Sequence, residues 1–151
     1  MRPNLTEQLN GVCRILEESI APELGESHTG ETLRNLVANV RMLARAWPRL
    51  LPFLLWDNAH TTTLLTAARA GVDDALRARI DGTFVAAPTE ATDWEAVERH
   101  NDALRECLSA CIVAGLAPAV DARVRAHLRE RAKRYPLRVT GAQPKARKAA
   151  E

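Results

Sequence analysis

Asp57, Asn58, His60 and Thr61 are the densest group of chemically able side chains in the chain, and they follow an almost unbroken apolar run from Trp47 to Trp56. A carboxylate and an imidazole spaced i, i+3 can share a metal in a helical bundle. Such sites need two of these pairs and further inward carboxylates, and the sequence has neither. His60 therefore reads as a surface histidine, projecting beyond the edge of the buried stripe. Cys107 and Cys111 stand one helical turn apart, with Cys13 as the third thiol, but no CxxC pair or HExxH supports a zinc centre. His28, His60, His100 and His127 fall at unrelated helical phases, and neither a GxSxG turn nor a glycine-rich phosphate loop is present. No catalytic residue, metal ligand or cofactor is assigned.

What Asn58 and Thr61 can do is offer an amide and a hydroxyl to the interior of a bundle. At about 100° per residue, Leu65, Ala68, Val72, Ala75, Leu76 and Ile80 form one stripe, and projecting it backwards brings in Leu54, Asp57, Asn58 and Thr61. If successive helices alternate in direction, Asn58 and Thr61 stand level with Asn39, Cys13 and Cys111. Asn39, Asp57, Asn58, Thr61, Asn101 and Cys111 then make a candidate cavity for a small apolar ligand. The alternative is that Asn58 and Thr61 satisfy carbonyls freed by Pro52 and fix helix register.

The elements that must position these groups are helices. Asn4 and Glu7 have the reciprocal capping spacing, opening a helix to about Ile20 that Pro22 and Gly25 end. Thr29 is the expected cap of a second helix, Glu31 to Trp47, with Leu33, Leu36, Val37, Val40, Leu43, Ala44 and Trp47 on one face. Pro48 and Pro52 predict a turn or kink before a third helix that runs to Ile80, because proline lacks the N–H an interior position requires. Residues 83–91 read as a loop. Thr92-Asp93-Trp94-Glu95 again has the reciprocal capping spacing and opens a fourth helix with Trp94, Val97, Leu104, Leu108, Cys111 and Ile112 buried and Asn101 among them. Gly115 stops it, and Pro118 starts a fifth helix to Arg134 whose terminal cations suit the helix dipole.

The expected fold is all-α: an up-and-down four-helix bundle with a fifth, C-terminal helix, forming one domain over residues 1–136. Residues 137–151 read as a flexible basic tail. The tail supplies +3 of a formal net charge of +2, so the body carries −1, and nucleic acid is not an expected partner. Three cysteines and no secretory leader point to reduced thiols and a cytoplasmic protein. No stretch is apolar for long enough to span a membrane.

Arg2-Pro3, the segment Glu17-Glu18-Ser19-Ile20-Ala21-Pro22-Glu23-Leu24, and Leu36-Val37-Ala38-Asn39-Val40-Arg41-Met42-Leu43-Ala44-Arg45 resemble a family of small, functionally uncharacterised bacterial helical proteins. The likeness covers residues 2–47. Its members are often encoded beside aminoglycoside-phosphotransferase-like kinases and acyl-CoA dehydrogenases, which implies an accessory role and transfers no catalytic residue. Ala46-Trp47 depart from the family's Arg-Glu.

The apolar surplus itself carries the functional expectation. Trp47, Leu51, Phe53, Leu55 and Trp56 exceed what one helix face buries, predicting a non-catalytic interaction protein that forms a homodimer or docks a partner protein. A small-molecule-binding protein or enzyme built on the polar cavity is the alternative.

Overall fold

The computed structural model describes residues 3–137, and every regular element among them is helical. Helix α1 (Leu5–Ile15) begins with the expected capping box. The Asn4 side chain accepts the Glu7 N–H and the Glu7 carboxylate accepts the Asn4 N–H, each at 2.9 Å. In a regular helix the Pro22 ring would meet the carbonyl of Glu18. The turn widens instead into a π segment, Leu16–Ile20, with the Ala21 N–H bonded five residues back to Leu16. The short α2 (Ala21–Leu24) then ends at Gly25, whose φ of 54° suits glycine.

The second and third helices expected on either side of Pro48 and Pro52 are one helix. Helix α3 runs unbroken from His28 to Ala68, 41 residues with both prolines inside, and Ser27 rather than Thr29 caps it. Pro48 leaves the Ala44 carbonyl without its usual donor four residues on. The hydroxyl of Thr6, on α1, supplies that bond at 3.3 Å. Ala44 and Ala46 are buried and small, so the neighbouring helices approach closely enough for packing to offset what proline costs.

The expected third helix also ends early. After a 3₁₀ turn, Arg69–Gly71, the Asp73 carboxylate accepts the Leu76 N–H and opens α4 (Asp74–Val85), which takes in part of the expected loop. Of the stripe from Leu65 to Ile80, Leu65, Ala68, Val72 and Ile80 are buried and Leu76 partly so, while Ala75 is exposed. Asp93, one residue after the expected Thr92, caps α5 (Trp94–Ala114), and α6 (Pro118–Arg134) follows from its N-terminal proline. No described helix is long and apolar enough to cross a membrane. The expected flexible tail lies outside the described residues apart from Leu137.

The all-α bundle with a C-terminal helix is therefore what the chain forms, centred on α3. Ordering the buried residues along each helix gives the directions. Phe53 and Leu54 of α3 join Val97 of α5 in one apolar cluster; Leu64, Leu65 and Ala68 join Leu104, Leu108 and Cys111 in a second. The C-terminal half of α3 and α5 thus run in the same direction. Helix α4 returns antiparallel to α5, its end at Ala86 sharing a groove with Ala96 and Arg99 while Arg79, two turns earlier, pairs with Glu106 at 2.7 Å. Helix α6 returns antiparallel to α3, from Val124 in the second cluster to Tyr135 against Phe53. The N-terminal half of α3 extends past this bundle and pairs antiparallel with α1, Thr6 meeting Ala44 and the Cys13 thiol meeting the Val37 carbonyl.

Candidate functional site

Between the two apolar clusters lies a polar layer. One turn beyond Leu54, α3 presents Asp57, Asn58 and Thr61; one turn beyond Val97, α5 presents Asn101; one turn beyond Val124, α6 presents His127 and then Arg131. Burying these groups is costly unless they satisfy one another. Asn101 Nδ2 donates to Asp57 Oδ2 at 2.8 Å and to Asn58 Oδ1 at 2.7 Å. Asn58 Nδ2 donates to the Val97 carbonyl at 3.2 Å. Arg131 Nε donates to Asp57 Oδ2 at 2.9 Å, so the fully buried carboxylate has its countercharge.

The Asp57–His127 contact is short but poorly directed. His127 Nε2 stands 3.1 Å from Asp57 Oδ1 and 3.4 Å from Thr61 Oγ1, yet Asp57 Oδ1 and His127 Nδ1 find no well-aligned hydrogen-bond partner among the described residues. We read the contact as electrostatic, one that orients the imidazole without saturating it. The His127 ring lies parallel to that of His60, 5.9 Å away, and 5.3 Å from Trp56. His60 is held by its Nδ1 against the Trp56 carbonyl at 2.9 Å, and the Arg134 guanidinium covers the Trp56 ring at 4.6 Å. These rings border a groove of about 540 Å³ between α3 and α6 that Arg123 and Glu130 also line.

Of the six residues expected to share a cavity, Asp57, Asn58, Thr61 and Asn101 do meet, as a hydrogen-bonded layer. Cys111 sits one level away in the apolar cluster, beside Cys107, which is buried as well. Burial, and then the proximity of Cys107, push the Cys111 thiol pKa up. Asn39 is exposed and lines a different groove. Because α3 continues through its prolines, Asn39 lies about 28 Å along the same helix from Asn58. The expected contact residues also separate: Trp47 and Leu55 are exposed, Leu51 and Trp56 half-buried, and Phe53 faces the core.

Sequence reasoning missed His127 and Arg131. The signal was there in α6, where Val120, Val124, His127 and Arg131 repeat at steps of four, three and four and so share a face. Fold and layer together define an all-α bundle with a charged, internally paired polar level. Comparison with family models, curated proteins and solved structures finds no match to this chain.

His127, which is buried, and His100, which is half-buried, make stability depend on pH. Burial lowers the pKa of His127, outweighing the attraction of Asp57, and burial lowers that of His100 as well. A depressed histidine is neutral in the folded chain while the unfolded chain takes up a proton near pH ~6.5. Stability is then complete above that pH and declines as pH falls through it towards the folded values. Urea midpoints should drop between neutral and mildly acidic pH, and drop less in His127→Asn.

Proposed function

We propose that this protein is a non-catalytic helical interaction module whose partner is a second copy of itself. One observation carries the reading: the seam of α3 is covered along one half and bare along the other. Leu36, Leu43 and Trp47 share a helical phase with Leu54, Thr61 and Leu65, at steps of seven and four. From Leu54 onward α5 covers that seam. N-terminal to Trp47, whose ring meets Trp94 of α5 at 5.4 Å, Leu36 is 51%, Leu43 47% and Trp47 45% exposed.

Helix α1 widens this strip into a face. Cys13 and Val37 are both buried where the Cys13 thiol meets the Val37 carbonyl, and Val12 and Leu36 each precede them by one residue. Because the helices are antiparallel, those backward rotations turn to the same side. Val12 (48% exposed) and Leu5 (40%) thus flank Leu36 and Leu43. A two-helix hairpin has no third layer for such a face, whereas two copies back to back about a twofold axis form a four-helix unit. Residues 138–151, with four cations and one acid, have the wrong chemistry to cover it.

Sedimentation velocity should find a dimer. Leu43→Glu and Trp47→Glu, both at exposed positions, should weaken it by roughly 30-fold or more, a loss of about 2 kcal/mol, with unchanged helical circular dichroism. A strict monomer at high concentration would reject the reading.

The groove beside His127 favours a second reading, a small-molecule site. His127 Nδ1 has no hydrogen-bond partner among the described residues, and Trp56 and His60 line the groove beside it. Native mass spectrometry of protein from its own host, showing a retained organic molecule that His127→Asn releases, would favour it over simple self-association.

A further inference from the structure

The side of the α1–α3 hairpin opposite its apolar face is cationic and concave. Arg34, Arg41, Arg45 and Arg49 fall on one stripe of α3, spanning about 22 Å of helix. Across from them, the end of α6 adds Lys133 and Arg134 to the lining of the same groove, both within ion-pair distance of Glu130, and its volume is about 780 Å³. Among the described residues its one acidic lining residue, Glu17, is already paired with Arg41. We infer that this groove binds a small organic molecule bearing several phosphate charges.

The ordinary account of a charged helix stripe is a solvated face. Three observations argue against it here. Elsewhere among the described residues Arg69 is matched with Asp81, Arg77 with Asp74, Arg79 with Glu106 and Arg125 with Asp121, while Arg14, Arg105, Arg123 and Arg129 stand singly rather than in a stripe. Arg34, Arg45 and Arg49 have no ion pair or hydrogen bond among the described residues. Second, Arg45 and Arg49 stand four residues apart with neither paired, a spacing at which like charges destabilise a helix and which a bound anion would relieve. Third, the stripe lines a concavity of small-molecule size with apolar walls at Leu33, Val37 and Met42 and an aromatic ring, Tyr135, at one end. Tyr135 is itself positioned edge-on by Phe53 at 5.4 Å.

Guanidinium groups suit this ligand class because their planar forks match pairs of phosphate oxygens and stay charged at any physiological pH. The apolar walls and Tyr135 suit an attached organic portion. The site lies on the other side of the hairpin from the proposed dimer face, so either can fail without the other.

Calorimetric titration of the full chain at low salt with ATP, inorganic tripolyphosphate and a single-stranded oligonucleotide tests the inference. The expected result is saturable one-to-one binding of ATP, with tripolyphosphate competing, weakened at least tenfold in Arg45→Gln/Arg49→Gln and weakened also by added salt. Both arginines are exposed, so the double variant should fold, which circular dichroism checks; Arg105→Gln, on α5, should bind as the unaltered chain does. No saturable binding of ATP or tripolyphosphate would overturn the inference, as would binding indifferent to Arg45→Gln/Arg49→Gln. A clear preference for the oligonucleotide would also overturn it, by making the groove a nucleic-acid contact.

Discussion

Asp57→Ala should destabilise the fold by about 3 kcal/mol, lowering the thermal midpoint by roughly 10 °C in a domain of this length. The carboxylate is fully buried and serves three helices, accepting from Asn101 on α5 and Arg131 on α6 while standing beside His127. Removing it leaves the partners where they are. Arg131, with 20% of its side chain exposed, can rehydrate in part, which places the cost at the lower end of the range for broken buried pairs. Asn101 keeps its bond to Asn58.

Asp57→Asn, which retains an acceptor but not the charge, should fall between the wild type and alanine. The paired change Asp57→Leu/Arg131→Leu should be less harmful than Asp57→Leu alone, because it leaves no unmatched cation. Thermal and urea unfolding of this series reads the ordering directly. If Asp57→Ala unfolds at the wild-type temperature, the layer is not a structural tie between α3, α5 and α6.

Gly30→Ala should cost about 2 kcal/mol, against the usual preference of helices for alanine. Gly30 is in the first turn of α3, its N–H donating to Ser27 Oγ at 3.0 Å while the Ser27 hydroxyl donates to the Leu24 carbonyl at 2.7 Å. The chain doubles back so tightly here that a Cβ on Gly30 would overlap the Gly25 carbonyl oxygen, which is backbone and cannot rotate away. Gly82, in α4, is the control. Nothing lies within 4 Å of a Cβ there, so Gly82→Ala should stabilise by about 0.5–1 kcal/mol. Opposite signs in the two midpoints are expected. A stabilising Gly30→Ala would mean that the α2–α3 turn, and with it the α1–α3 hairpin, is looser than described.

Much of the local structure was legible in the chain. Asn4 with Glu7 announced its cap because capping is a contact between residues three apart, and the Thr92 to Glu95 spacing marked the start of α5 although Asp93 is the residue that caps it. Leu65, Leu104 and Val124 announced their buried sides because helical period alone assigns a face. The same period put Asp57, Asn58, Thr61 and Asn101 on inward faces. It was silent on what they meet.

Contacts remote in sequence decided the rest. Two prolines read locally as a break, but Thr6 reaches the Ala44 carbonyl from 38 residues away and α3 continues. That continuation moved Asn39 away from the polar layer and into an arginine-lined groove. The countercharge of Asp57 comes from Arg131, 74 residues on, which in isolation reads as one of several cations complementing a helix end. Periodicity tells a helix which side to bury, since neighbours within two turns suffice for that. Which groups oppose that side depends on how separate helices dock, an energy shared among distant residues and invisible in any short stretch.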